Sequence, residues 1–194
     1  SLMIFTGTQG ITQAIALAVG FVVVRLVSIE EYAVYALFGA LVGAAAVATD
    51  LGSSSSLITL ISRSSDPQEQ QRFVAEAAQL RSGLILVSVP VFCGLFIWMM
   101  PNGDWQAYAG AFFLAAVILL QAIAVFYRAL LAVTKRLQVI NRADPFAALI
   151  RLFLLGGAFV LVGQSGFLLP VVAWVLSAAI LTFWLHRNVG SVQS

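Results

Sequence analysis

The sequence is 194 residues long, 61% hydrophobic and only 9% charged, with a net charge of +2 and a mean hydropathy of +1.01. So little polar surface cannot cover a water-soluble globule, which excludes a soluble enzyme or binding module and makes lipid the solvent. The pI near 9.0 rests on an excess of two positive charges, too few to imply nucleic acid as a partner.

A helix needs roughly 20 apolar residues to cross the hydrocarbon core, so the chain has room for about seven crossings. Hydropathy finds six. Stretches such as IALAVGFVVV and AGAFFLAAVILLQAIAVF are apolar on every side, without the period-two alternation of a transmembrane barrel, so the spans are helices. The expected fold is all-α: a polytopic helical bundle of about six transmembrane helices.

The first span covers residues 2–27; it lacks the basic front and small-residue cleavage site of a removable signal peptide. No Met precedes Ser1, as expected of an excised piece or a chain missing a few residues. Ser28-Ile-Glu-Glu31 matches a capping box and predicts a helix start near Ile29. That second span, residues 29–62, is longer than a bilayer needs and has a polar interruption from Asp50 to Ser56, so it tilts or breaks. Asp66-Pro67-Gln-Glu69 reads as an N-cap followed by a proline in the first turn. It opens a cytoplasmic helix carrying Arg72, Glu76 and Arg81 that merges into the third span, residues 80–100, with Pro90 as a kink site. Pro101-Asn-Gly103 predicts a turn, Asp104 a cap, and Trp105 and Tyr108 an interfacial position. The fourth span is 105–133. After the basic stretch TKRLQVINRADP, Asp144-Pro145 repeats the cap-and-proline device and predicts a fifth span at 146–163. A Gln-Ser-Gly connection leads to the sixth, 167–185, and a polar tail.

Basic residues set the orientation. Arg63, Arg72, Arg81, Lys135, Arg136, Arg142 and Arg187 fall in the even-numbered connections and the tail, whereas the odd-numbered ones hold only Arg25 beside Glu30, Glu31 and Asp104. The positive-inside rule puts both termini in the cytoplasm.

Polar groups at membrane depth are candidates for function. Asp50 lies about 12 residues, or roughly 18 Å, from the cytoplasmic end of its helix. It must be protonated, paired or wet. It could bind a proton or cation, pair with an arginine during a conformational change, or cap a helix restarting at Gly52-Ser-Ser-Ser-Ser56. Arg25 could snorkel and pair with Glu30 or Glu31, or line a cavity and hold a phosphate, for which a planar guanidinium is suited. Gln121 is either an interhelical hydrogen-bonding group or, with Tyr127 and Arg128 one to two turns on, part of a polar surface. Arg128 and Arg151 read as snorkelling residues or as a basic inner vestibule. Cys93 reads as a small buried residue, and with a single cysteine no disulfide is possible within one chain. The only histidine, His186, lies in the tail. No H-E-x-x-H, Walker loop or G-x-S-x-G with a matching histidine occurs, so no catalytic residue, metal or cofactor is expected, and a transporter or assembly protein is favoured over an enzyme.

The segment VVVRLVSIEEYAVYALFGALVGAAAVATDLGSSSSLITLISR resembles the start of the lipid-linked oligosaccharide flippases, the polysaccharide or O-antigen exporter branch of the multidrug/oligosaccharidyl-lipid/polysaccharide exporter superfamily. Arg25, Leu26, Ser28, Glu30, Glu31, Tyr32 and Tyr35 match one motif of that family, and Asp50, Leu51, Gly52 and Ser54 another. Ala33 replaces the usual glycine and Ile29 the usual proline. RALLAVTKRLQVINRADPFAALIRLFLL is similar to the fourth-to-fifth helix region. The resemblance implies one MATE-like lobe, the amino-terminal six-helix half of a two-lobed transporter, needing a carboxy-terminal lobe or a second copy. It implies an inner-membrane location, membrane lipid and a polyprenyl-pyrophosphate-linked glycan as partners, and alternating access without covalent chemistry. Carried over to this chain, Arg25 becomes a phosphate-facing group and Asp50 a pairing or coupling group. The rivals are a drug or cation antiporter half, a non-transporting scaffold or inactive remnant, and a membrane glycosyltransferase or acyltransferase. The last would need an acidic or histidine cluster at one membrane face, which is lacking.

Overall fold

The computed structural model describes residues 2–64, 66–100, 105–134, 137–162 and 166–193. The described residues form seven helices: α1 (Leu2–Leu26), α2 (Ile29–Asp50), α3 (Ser53–Arg63), α4 (Pro67–Met99), α5 (Trp105–Val133), α6 (Leu137–Val162) and α7 (Leu168–Gln193). The turn at 101–103, the cap expected from Asp104, Lys135, Arg136, Gln164 and Ser165 lie outside the described residues.

Local chemistry sets several boundaries. Ser28 Oγ accepts from the Glu31 N–H at 3.3 Å while Glu31 Oε2 accepts from the Ser28 N–H at 3.2 Å, the reciprocal capping box that starts α2. Asp66 Oδ1 accepts from the Gln68 N–H at 2.9 Å and Pro67 fills the first turn of α4, where its missing N–H costs nothing. The long second span breaks. Leu51 (φ 38°) and Gly52 (φ 78°) both take the left-handed conformation, separating α2 from α3; Leu51 is costly there, whereas Gly52 is not.

Two expectations need correction. Asp144-Pro145 does not start a helix: α6 begins at Leu137 and runs through Pro145, because the Asp144 carboxylate is bound to Arg128 instead of capping backbone amides. The polar tail is not separate either, since α7 continues to Gln193.

Helix α5 is the hub, packing against α4 and α7 and also against α2, α3 and α6, while α1 packs chiefly on α6. Phe38, Phe96, Leu114, Val117 and Val171 form one apolar cluster between α2, α4, α5 and α7. Leu131, Ala143 and Leu185 form another toward the far end of α5, with α6 and α7. Val23, Leu26, Leu155 and Ala173 fasten α1 to α6 and α7.

Four helical stretches among the described residues are long and apolar enough to cross a membrane: Ile29–Arg63, Pro67–Met99, Trp105–Val133 and Leu168–Val189. At most 39% of the most apolar window of any of them is buried, so most of that surface faces outward, with Leu17, Phe21, Leu86, Trp98, Phe112, Phe153 and Phe183 all exposed. Surface of this kind is stable against acyl chains and not against water. The chain is therefore a membrane-embedded helical bundle.

Candidate functional site: two arginine centres inside the bundle

The first centre forms around the break between α2 and α3. Asp50 Oδ1 accepts from the Ser54 N–H (3.3 Å), Ser54 Oγ (2.5 Å) and Ser53 Oγ (3.3 Å), so the carboxylate does cap the restarting helix. It also forms an ion pair with Arg81 of α4. Arg81 Nη2 further donates to Ser53 Oγ (3.1 Å) and Ser54 Oγ (2.9 Å), and Nη1 to the Ala122 carbonyl of α5 (3.4 Å). Its guanidinium lies 5.8 Å from the Phe126 ring centroid. One arginine thus ties α2, α3, α4 and α5 together. Arg81 lies about 14 residues or ~21 Å into α4, where the expected cytoplasmic helix merges into the third span, and its side chain is 5% exposed. Nothing local marks this residue, because its partners lie 27 to 41 positions away.

The second centre is a cavity of about 340 Å³ enclosed by α1, α5, α6 and α7. Its polar lining comes from Thr12, Gln121, Arg128, Asp144, Arg151, Trp174 and Ser177. It sits between the apolar clusters at the two ends of α5, because Gln121 and Arg128 fall between Ile118 of one cluster and Leu131 of the other. Two of the candidates, Gln121 and Arg128, are brought together here, and Arg151 joins them. Arg128 Nη2 donates to Asp144 Oδ1 at 2.6 Å. Arg151 is held differently. Its guanidinium stacks 4.3 Å from the Trp174 ring centroid and Nε donates to Ser177 Oγ at 3.4 Å; among the described residues it has no carboxylate partner. Position 151 is roughly 14 residues, or ~21 Å, from the start of α6. Arg128 Nε and Trp174 Nε1 are buried with no hydrogen-bond partner.

Arg25 does not reach either centre. It is exposed, with its guanidinium 5.3 Å from the Phe21 ring centroid, and among the described residues it forms no ion pair with Glu30 or Glu31, Glu31 being committed to the α2 cap. Tyr127 Oη and His186 Nδ1 are 2.9 Å apart, tying α5 to the end of α7. Cys93 is half-buried, its thiol 3.3 Å from the Ala111 carbonyl.

The charges divide the centres by chemistry. Asp50 and Arg81 neutralise each other and make their further hydrogen bonds to Ser53, Ser54 and the Ala122 carbonyl, an arrangement suited to fixing geometry. The cavity keeps one net positive charge, two arginines against one aspartate, and so favours an anion. Comparison with protein-family models, with curated proteins and with solved structures finds no match.

Proposed function

We propose that the chain is one lobe of a membrane transporter that moves an anionic lipid-linked glycan, of the polyprenyl-pyrophosphate class, across the inner membrane by alternating access. The observation that carries this reading is Arg151: a cation held at a cavity by an aromatic ring and a hydroxyl, with no carboxylate paired to it among the described residues. Burying an uncompensated charge is costly, and a phosphate-bearing head group would offset that cost while its lipid tail stayed in the bilayer. Arg128 and Gln121 supply further donors around the same space.

In this reading α1, the α2–α3 pair, α4, α5, α6 and α7 form six spans with both termini in the cytoplasm, as the distribution of basic residues implies. The motif matches to the polysaccharide exporter branch favour the same assignment. The lobe works against a carboxy-terminal lobe or a second copy. A cation or drug antiporter is less well supported, since Asp144, the one acid lining the cavity among the described residues, is already paired with Arg128.

The test is native mass spectrometry of the chain in lipid nanodiscs with a short polyprenyl pyrophosphate and the corresponding uncharged polyprenol. The pyrophosphate is expected to bind and the alcohol not, and Arg151→Gln is expected to weaken binding about tenfold or more, the loss of one charge-assisted contact. Equal binding of both lipids, or unchanged binding by Arg151→Gln, would overturn the proposal.

A further inference from the structure

The two arginines of the cavity differ in one respect. Among the described residues Arg151 has no acidic partner, whereas Arg128 is held by Asp144 at 2.6 Å. That pair is only partly shielded, with side-chain exposures of 28% for Arg128 and 45% for Asp144, so it can open without stranding a fully buried charge. Arg128 also keeps its Nε buried and unpartnered while Nη2 is engaged, so one edge of its fork is unused. Asp144 sits immediately before Pro145, inside α6, where the ring removes the backbone donor that would bond the carbonyl of Asn141 and locally loosens the helix.

From this the geometry points to Asp144 as an internal competitor for the transported anion, and hence as the residue that sets how much charge a ligand must carry. The inference rests on the reading of the cavity as an anion site. A ligand with one negative charge is satisfied by Arg151 and leaves the Arg128–Asp144 pair closed. A pyrophosphate, with charge spread over two phosphoryl groups, can engage Arg151 with one group and displace the Asp144 carboxylate from Arg128 with the other. No bond is made or broken; one carboxylate is exchanged for a phosphate on the same guanidinium. Asp144 is accordingly a specificity-determining residue whose effect passes through Arg128.

The experiment is equilibrium binding of inorganic pyrophosphate and inorganic phosphate to the chain in nanodiscs, for the wild type, Asp144→Asn, Arg128→Gln and the double variant. Freeing Arg128 from a partly exposed pair is expected to tighten pyrophosphate binding by about three- to tenfold, while phosphate, which Arg151 alone satisfies, changes less. In the Arg128→Gln background the same substitution is expected to change affinity by less than about twofold, because no guanidinium remains to be released. Asp144→Ser, which keeps a small polar side chain ahead of Pro145, carries the same comparison if the asparagine variant does not fold. Pyrophosphate binding by the wild type with no gain in either Asp144 variant, or an equal gain with and without Arg128, would overturn the competitor role and leave the anion site standing. Absence of pyrophosphate binding in the wild type and in the Asp144 variants alike would overturn both.

Discussion

Neutralising Asp50 should cost more than removing Arg81, although the two belong to one ion pair. The asymmetry follows from burial: the Arg81 side chain is 5% exposed and that of Asp50 31%. Asp50→Asn leaves a guanidinium inside the bundle with only serine hydroxyls, a carbonyl and the Phe126 face, and stranding one member of a buried pair costs about 3–5 kcal/mol. Arg81→Met fills much of the same volume and leaves a carboxylate that still accepts from the Ser54 N–H and from two hydroxyls, a loss of about 1–3 kcal/mol. At roughly 2–4 °C per kcal/mol for a chain of this size, Asp50→Asn should lower the melting temperature by about 6–20 °C and Arg81→Met by less. The double variant should be less destabilised than the sum of the two by about 1–3 kcal/mol. Thermal unfolding in nanodiscs, followed by the intrinsic fluorescence of the 4 tryptophans, reads all three. An Asp50→Asn melting temperature within about 2 °C of wild type, or strict additivity, would refute the placement of Arg81 at the α2–α3 break.

Gly110→Ala should destabilise the bundle by about 1–3 kcal/mol in the same melting assay, because a Cβ at that position would lie 2.5 Å from Phe96 Cε1 and 2.9 Å from Cζ of a fully buried ring; trimming Phe96 to Leu in that background should recover part of the loss. Ser28→Ala removes the hydroxyl that accepts from the Glu31 N–H, while the residue-28 N–H can still donate to Glu31, and should cost about 1 kcal/mol, with faster amide exchange confined to the first turn of α2.

How much of this was legible in the sequence depended on the range of the interaction. Ser28 with Glu31 and Asp66 with Gln68 act across two or three residues, and their patterns predict the starts of α2 and α4. Asp144-Pro145 shows the same pattern yet fails as a helix start, because a partner 16 positions away claims the carboxylate. The interruption at Asp50 predicts a break or a tilt, and its αL residues settle the choice in favour of a break. The burial of Arg81 is not legible in the sequence, because the serines and the carboxylate that surround it lie 27 to 31 positions away and no spacing rule links them. Arg151 is a lone charge inside the apolar run 146–162, a signal that the choice between snorkelling residues and a basic vestibule does not use. Arg25, by contrast, was singled out through charge pattern and motif, and the packing of α1 leaves it outside both centres.

The cavity itself can be tested by placing one thiol in its wall. In a Cys93→Ser background, which removes the only native cysteine, Gln121→Cys should react with a small charged methanethiosulfonate reagent, and inorganic pyrophosphate should slow that reaction in a saturable way that Arg151→Gln abolishes. A thiol at position 121 that is inert to the reagent, or that reacts at the same rate with and without pyrophosphate, would contradict an anion site at the centre of this bundle.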